Sequence, residues 1–505
     1  MNLVALADEN LKRFGEYPFL IFEDAAFTNK QILQYADRLA RGLKKLMVKK
    51  GDHVVVMLPN CLEVIISYQG ILRCGAVIVP LIPLMNEKEL SHVIINCEAV
   101  AMITTRDIFQ KNEPILQALE GLKHVILLDD DTPEGTISFP SLIRDHSEDM
   151  SLPAIGEEDS AVILYTAGTT STPKGVILTH WNLYSNAVNA SRAHGTQKTD
   201  ITLVALPLSH SFGITSMNKA YKYGNLHVLM RKFHAEEAFN LIEKYRVTNM
   251  PGVPAMFITM LNSPDADKYD VTSLKSCLSG AAPFPVASLL AFQKRFNCTV
   301  FEAYGLSEAS PAVSTNHHNR PSKPGSVGQP IPEVEVRIVD DQDQDVPQGE
   351  LGELLVRGPN VSSGYYKLPE ETAKTFRNGW LHTGDMARMD KDGYLFIVER
   401  KKDLIIRGGF NIYPRDIEEI MYQQPAVKDA VAIGVSDPVM GEEVKVYVVL
   451  KEGKTASAEA LLIHCQNGLA KHKWPKYIEV VESLPRNPMG KILRKELRKL
   501  NSGKN

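Results

Sequence analysis

Hydrophobic positions along the first 400 residues switch between two periods. Apolar side chains recurring every three or four residues predict helices over 29–45, 62–73, 235–245 and 286–296. Short apolar or β-branched runs at 53–58, 77–79, 202–206, 226–230, 276–279 and 299–302 predict strands between them. Such alternation predicts α/β layers. From 334 to 355 the texture changes: Val334, Val336 and Ile338 alternate with Glu335 and Arg337, and a turn-rich acidic stretch follows at 340–345. That pattern predicts an antiparallel hairpin. A further strand, 394–398, runs into Glu399-Arg400-Lys401-Lys402-Asp403 and then Gly408-Gly409, which reads as a joint between domains.

Length supports that division, because 505 residues exceed what one core usually serves. The expected architecture is a large multi-subdomain N-terminal α/β domain over 1–400, a hinge at 401–402 and a small mobile α+β domain over 403–505. The composition, 44% apolar and 23% charged with a net charge of −4, gives no electrostatic case for a nucleic-acid partner. Six cysteines, at 61, 74, 97, 277, 298 and 465, show no metal-ligand spacing and read as reduced core thiols. Charges at Asp8, Glu9, Lys12 and Arg13 precede any long apolar run, so no export signal is expected and the location is expected to be cytoplasmic. Val64 to Met85 is the most apolar stretch, but Gln69, Arg73, Pro80 and Pro83 interrupt it, so it reads as helix, turn and strand and not as a transmembrane segment.

Candidate chemistry concentrates first at 166–175, TAGTTSTPKG, just after the apolar run 161–164. Glycine lets backbone N–H groups approach an anion, hydroxyls donate to its oxygens, and lysine adds a point charge. The Walker pattern is excluded, since Pro173 precedes Lys174 and Gly175 follows it. Further motifs follow: PLSHSFG at 207–213, SGAAP at 279–283, YGLSE at 304–308, WLHTGD at 380–385, ERKKDLIIRGGFNIYP at 399–414 and PRNPMGK at 485–491.

In this order and spacing the motifs resemble the adenylate-forming superfamily of acyl- and aryl-CoA synthetases, nonribosomal adenylation domains and beetle luciferases, and the resemblance covers nearly the whole chain. Similar positions include Asn60 and Pro80 in the N-terminal part. It implies an AMP-forming acyl-CoA synthetase: acid and ATP give acyl-adenylate and pyrophosphate, and CoA then takes the acyl group. ATP, Mg²⁺, CoA and a small carboxylic acid are the implied ligands. The resemblance also implies roles for residues. Thr166, Gly168, Thr169, Thr170 and Lys174 would hold phosphates, and Glu308 with Thr169 the Mg²⁺. Tyr304 would lie against the adenine and Gly280, Ala281 and Ala282 would flank it, with Glu302, Ala303, Gly305 and Ser307 also binding ATP or AMP. Asp385 would accept from the ribose hydroxyls, and Arg400 would contact ribose and phosphate. Lys491 would bridge carboxylate and α-phosphate, although by composition Lys491, Arg494, Lys495, Arg498 and Lys499 read as one solvated basic helix. Lys402 matches the hinge, about which rotation would exchange Lys491 for the Gly408-Gly409 loop of a pantetheine tunnel.

Two loop positions depart from the family pattern: Ala167 stands for serine and Ser171 for glycine. Arg407 stands where many relatives have a small residue, and reads as solvated more readily than as a CoA contact. The acyl pocket is expected at His210, Phe212, Gly213 and Ser279, and His210 is also a catalytic candidate. An aspartate for an amino-acid ammonium is missing there, so the acid is expected to be medium- or long-chain fatty or aromatic. Asn218, Lys219 and Lys222 in TSMNKAYKYG tilt it toward a medium-chain, aromatic or polar acid. One rival hands the adenylate to a carrier-protein thiol or another acceptor; the chain ending soon after Lys491 weighs against a fused carrier. Another is a nucleotide-binding homologue without catalysis, against which Glu308, Asp385, Arg400 and Lys491 count. The resemblance leaves room for a homodimer.

Overall fold

The computed structural model describes residues 1–144, 151–166, 173–486 and 492–502. Among them, two mainly parallel sheets dominate the N-terminal part. In the nine-stranded sheet, Thr299–Gly305, Ser276–Ser279, Asn249–Gly252, Ile201–Val204, Leu226–Leu229 and Pro18–Phe22 run parallel in that spatial order. The eight-stranded sheet places His53–Met57 between Val77–Pro80 and Ala99–Thr104. Parallel strands are covered on both faces, which is why these read as continuous apolar runs; Val54, Val55, Val56 and Met57 are all buried.

The helices Asn29–Lys45, Leu62–Cys74, Ala235–Tyr245 and Val286–Phe296 follow the expected periodicity. The apolar stretch beginning at Val64 resolves into the helix Leu62–Cys74, a left-handed Gly75 and the strand Val77–Pro80. No helix among the described residues is long and apolar enough to cross a membrane. All six cysteines are buried and unbridged.

The strand Glu335–Val339 pairs antiparallel with Gly352–Arg357, as the alternation at 334–338 predicts. This hairpin joins Trp380–Met389 and Leu395–Arg400 in a third sheet. Beyond the charged joint lies a fourth sheet, built on the long pair Val427–Asp437 and Gly441–Leu450, with a core of its own that includes Ile405, Ile417, Val446 and Leu461. The chain is thus a large N-terminal α/β domain followed by a smaller α+β domain.

The C-terminal helix, Arg494–Ser502, corrects the reading of a solvated basic helix. Arg494 bonds Glu399 at 3.0 Å and Glu418 at 2.6 Å, and Arg498 bonds Asp403 at 2.8 Å. These cations face the joint because its strand and the helix Pro414–Tyr422 present carboxylates there. Arg407 is likewise engaged, with Glu443 at 2.8 Å and with the carbonyls of His472 and Trp474.

Candidate active site

A cavity of about 1020 Å³ has walls at both ends of the nine-stranded sheet's strands. Carboxyl ends of parallel strands are where open α/β sheets bind ligands. Here those ends contribute Gly280, Ala281, Ala303, Tyr304 and Gly305, followed by Ser307 and Glu308. Ala281 sits at φ +68°, a left-handed conformation costing about 1–2 kcal/mol for a residue with a Cβ. Gly305 is required by packing, since a Cβ there would come within 2.3 Å of the Pro311 carbonyl oxygen.

Thr166 and Lys174 also line the cavity, and they face each other as the last and first residues of the antiparallel strands Ser160–Thr166 and Lys174–Thr179. The glycine- and threonine-rich segment is therefore framed by a strand pair and not by the helix N-terminus of a Walker site. Gly168, Thr169 and Thr170, together with Ala167 and Ser171, lie outside the described residues. Lys174 forms an ion pair with Glu371 and lies 5.5 Å from the centre of the Tyr365 ring. Tyr365 also donates its hydroxyl to Glu308 Oε1 at 2.8 Å.

Asp385 and Arg400 are cross-strand partners, and Arg400 Nε lies 3.1 Å from Asp385 Oδ1. The Tyr304 hydroxyl donates to the other carboxylate oxygen at 2.5 Å. Burial, reinforced by Asp385, pushes the Tyr304 phenol well above its ordinary pKa, so it remains a donor. Asp385 itself is buried behind the wall, which Tyr304, Thr383, Gly384 and Arg400 form in front of it.

His210 caps the helix Ser211–Tyr223, its Nδ1 accepting from the Phe212 N–H at 3.3 Å, and both residues line the cavity. Asn60 holds the segment before it: its side chain donates to the Leu206 and Met230 carbonyls at 2.9 and 3.0 Å and accepts from the Leu208 N–H at 2.8 Å. Gly213 fits beneath this turn, where a Cβ would lie 2.3 Å from the Pro207 carbonyl oxygen.

Several expected residues stand off the wall. Glu302 is buried, accepts from the Gly325 N–H at 2.8 Å, and is pushed up to about 7 by that burial. Gly213, Ser279 and Ala282 support neighbouring wall residues without lining the cavity themselves. Gly408 and Gly409 are exposed in the C-terminal domain, with the Gly408 N–H donating to the Met440 carbonyl at 2.8 Å. Lys402 does line the cavity, and burial and Arg400 lower its pKa. Lys491 lies outside the described residues; Arg486 and Leu493 on either side of it line the cavity, and Arg486 pairs with Ile492.

Sequence reasoning did not find Tyr365, Glu371 or the positioning role of Asn60. Tyr365 and Glu371 fall outside the motifs; Gly364, which opens the short strand Gly364–Tyr365, is held at φ +139°, and a Cβ there would meet Thr372 at 2.3 Å. No group of three or more His, Cys, Asp or Glu side chains that could hold a metal occurs among the described residues.

A large α/β domain whose strand-end cleft is closed by a small α+β domain defines the adenylate-forming class. The chain belongs to the AMP-binding enzyme family, among its acyl-CoA synthetases: the AMP-binding enzyme profile matches residues 7–366 and that of the AMP-binding enzyme C-terminal domain matches 416–491. It is 36% identical to a long-chain-fatty-acid–CoA ligase of Bacillus subtilis, with 98% of this chain and 94% of the relative covered. A long-chain-fatty-acid–CoA ligase of Salmonella typhimurium is 34% identical, with 100% and 95% covered. The crystal structure of the anthranilate CoA ligase AuaEII in complex with anthranoyl-AMP matches with a TM-score of 0.94 at 27% identity, covering 99% of this chain and 97% of that one.

Proposed function

We propose that this enzyme activates a carboxylic acid with ATP and passes the acyl group to CoA. In the first step a carboxylate oxygen attacks the α-phosphorus, the α–β bond breaks and pyrophosphate leaves. In the second, the CoA sulfur attacks the acyl carbon, the bond to the phosphate oxygen breaks, AMP leaves and the thiol proton is lost. The observation that carries this reading is the meeting, on one cavity, of Tyr304, Glu308, Lys174 and Arg400 with His210 and Phe212.

Thr166, Gly168, Thr169, Thr170 and Lys174 would hold the β- and γ-phosphates, with Lys174 exchanging Glu371 for phosphate. Gly280 to Ala282 and Ala303 to Gly305 would flank adenine, with Ser307 beside them. Asp385, which Tyr304 and Arg400 cover in this structure, would accept the ribose hydroxyls once those side chains give way. The donor set fits Mg²⁺, because Glu308 is a hard oxygen ligand on the wall and a lone carboxylate suits an ion that arrives with phosphates. Thr169 and Glu308 would hold that ion, which would neutralise phosphate charge. His210 and Phe212 would bound the carboxyl end of the acyl pocket. Further along the same cavity Thr202, Lys219, Asn225 and Asn249 line the wall, and their polarity favours a medium-length or aromatic acid over a plain long chain.

The C-terminal domain, 403–505, would turn about 401–402. In the present arrangement the flanks of Lys491 reach the cavity while Gly408-Gly409 is exposed elsewhere, which supports an adenylation-ready state. Lys491→Ala should abolish acid-dependent pyrophosphate release yet leave thioester formation from a supplied acyl-adenylate. Equal loss of both half-reactions in a folded variant would contradict the reading.

A further inference from the structure

The cavity changes character along its length. His210 caps the helix Ser211–Tyr223, and Lys219 lies on that same helix about 13 Å further along its axis; both line the cavity. Around Lys219 the wall is polar, formed by Thr202, Asn225, Thr248 and Asn249 with His194 and His227. Asn225 leaves its side-chain oxygen without a partner.

Lys219 Nζ donates to His194 Nδ1 at 3.1 Å, and His194 Nε2 lies 3.0 Å from Thr315 Oγ1. An Nδ1 that accepts leaves the hydrogen on Nε2, so His194 is a neutral acceptor held in place by Thr315. Burial, and then Lys219, keeps its pKa well below the ordinary value. Burial also pulls Lys219 down to about 8, which leaves it protonated at neutral pH. Among the described residues no carboxylate pairs with that ammonium. Asp200, the acidic group on this part of the wall, attracts Lys219 at longer range without pairing with it and accepts from the Gln197 N–H at 2.8 Å; Lys275 and His318, also on the wall, add no negative charge. Lys222, by contrast, is engaged by the Tyr184 hydroxyl at 3.0 Å and lies off the wall.

A half-buried ammonium with one neutral partner gains most from an anion and loses most when an apolar chain displaces its water. We propose that Lys219, oriented by His194, recognises a second anionic group at the far end of the acid, so that the preferred substrates are medium-length acids bearing a terminal carboxylate. The separation from His210 matches an extended chain of roughly ten carbons. The inference rests on the ligase reading above and adds the substrate class to it.

The test compares octanedioate with octanoate, decanedioate with decanoate and dodecanedioate with dodecanoate, using the full-length enzyme with Mg-ATP and CoA. The best diacid should exceed its monoacid in kcat/KM by about tenfold or more, because a site built for a polar group discriminates strongly against its absence. Lys219→Met should cut the diacid's kcat/KM at least about tenfold more than the monoacid's, chiefly through KM, and Lys219→Arg should retain the diacid preference. Equal use of diacids and monoacids by the unaltered enzyme, or equal losses on both in Lys219→Met, would overturn the proposal. The first comparison needs no variant and so does not depend on a variant folding. If no acid yields thioester, the CoA-ligase reading fails separately, and the same ratio read on pyrophosphate release still decides the role of Lys219.

Discussion

The two ends of the cavity treat charge in opposite ways. Where the strands end, charges are met in advance: Asp385 by Arg400 and Tyr304, Lys174 by Glu371, Glu308 by the Tyr365 hydroxyl. Around Lys219 a cation is hydrogen-bonded only to a neutral imidazole, with Asp200 acting on it at longer range and no carboxylate paired to it among the described residues. In the proposed reading the first arrangement would hold groups for a ligand with both phosphate and hydroxyls, and the second would leave a charge for the ligand to answer. The reaction and the choice of acid are therefore separable properties of one cavity.

The strongest way to break that separation is Asp385→Asn. It keeps the shape of a side chain held by Tyr304 and Arg400 but removes the charge, and should lower kcat/KM for ATP by roughly a hundredfold. The loss should be equal for every acid, measured as pyrophosphate release at saturating acid. A changed order of acids would show that the two ends are coupled.

A smaller effect is expected through pH. Burial holds the folded Glu302 carboxyl at about 7 against an ordinary value of 4.5. The folded protein thus binds that proton more tightly than the unfolded chain. Its contribution to stability is complete below about pH 4.5 and is lost as pH rises toward 7. The Tm of the unaltered protein should accordingly fall by a few degrees more between pH 5 and 7 than that of Glu302→Gln. Parallel Tm curves would place the buried carboxyl's proton elsewhere.

The residues proposed for the reaction could be named from sequence because they sit in contiguous motifs whose glycines, hydroxyls and charges have few other uses, as in YGLSE and WLHTGD. Long amphipathic helices such as Ala235–Tyr245 were legible from periodicity alone. The helix His180–His194 was not, because Asn182, Asn186 and Asn189 point inward; Asn186 donates to the carbonyls of Ala309 and Ala312, and Asn182 to those of Pro359 and Val361. A polar residue satisfied by distant backbone reads as surface until the partner is known. The pairing of His194 with Lys219, the Arg494 contacts with Glu399 and Glu418, and the Asn60 anchor were hidden in a similar way, by side-chain or backbone partners distant in the chain. Each joins segments far apart in sequence, so the residue was visible and its purpose was not.

The most direct test of the account is the product balance with an accepted acid, Mg-ATP and CoA, following pyrophosphate, AMP and thioester together. One AMP and one thioester are expected for each pyrophosphate. Pyrophosphate release with no CoA-dependent thioester would contradict it.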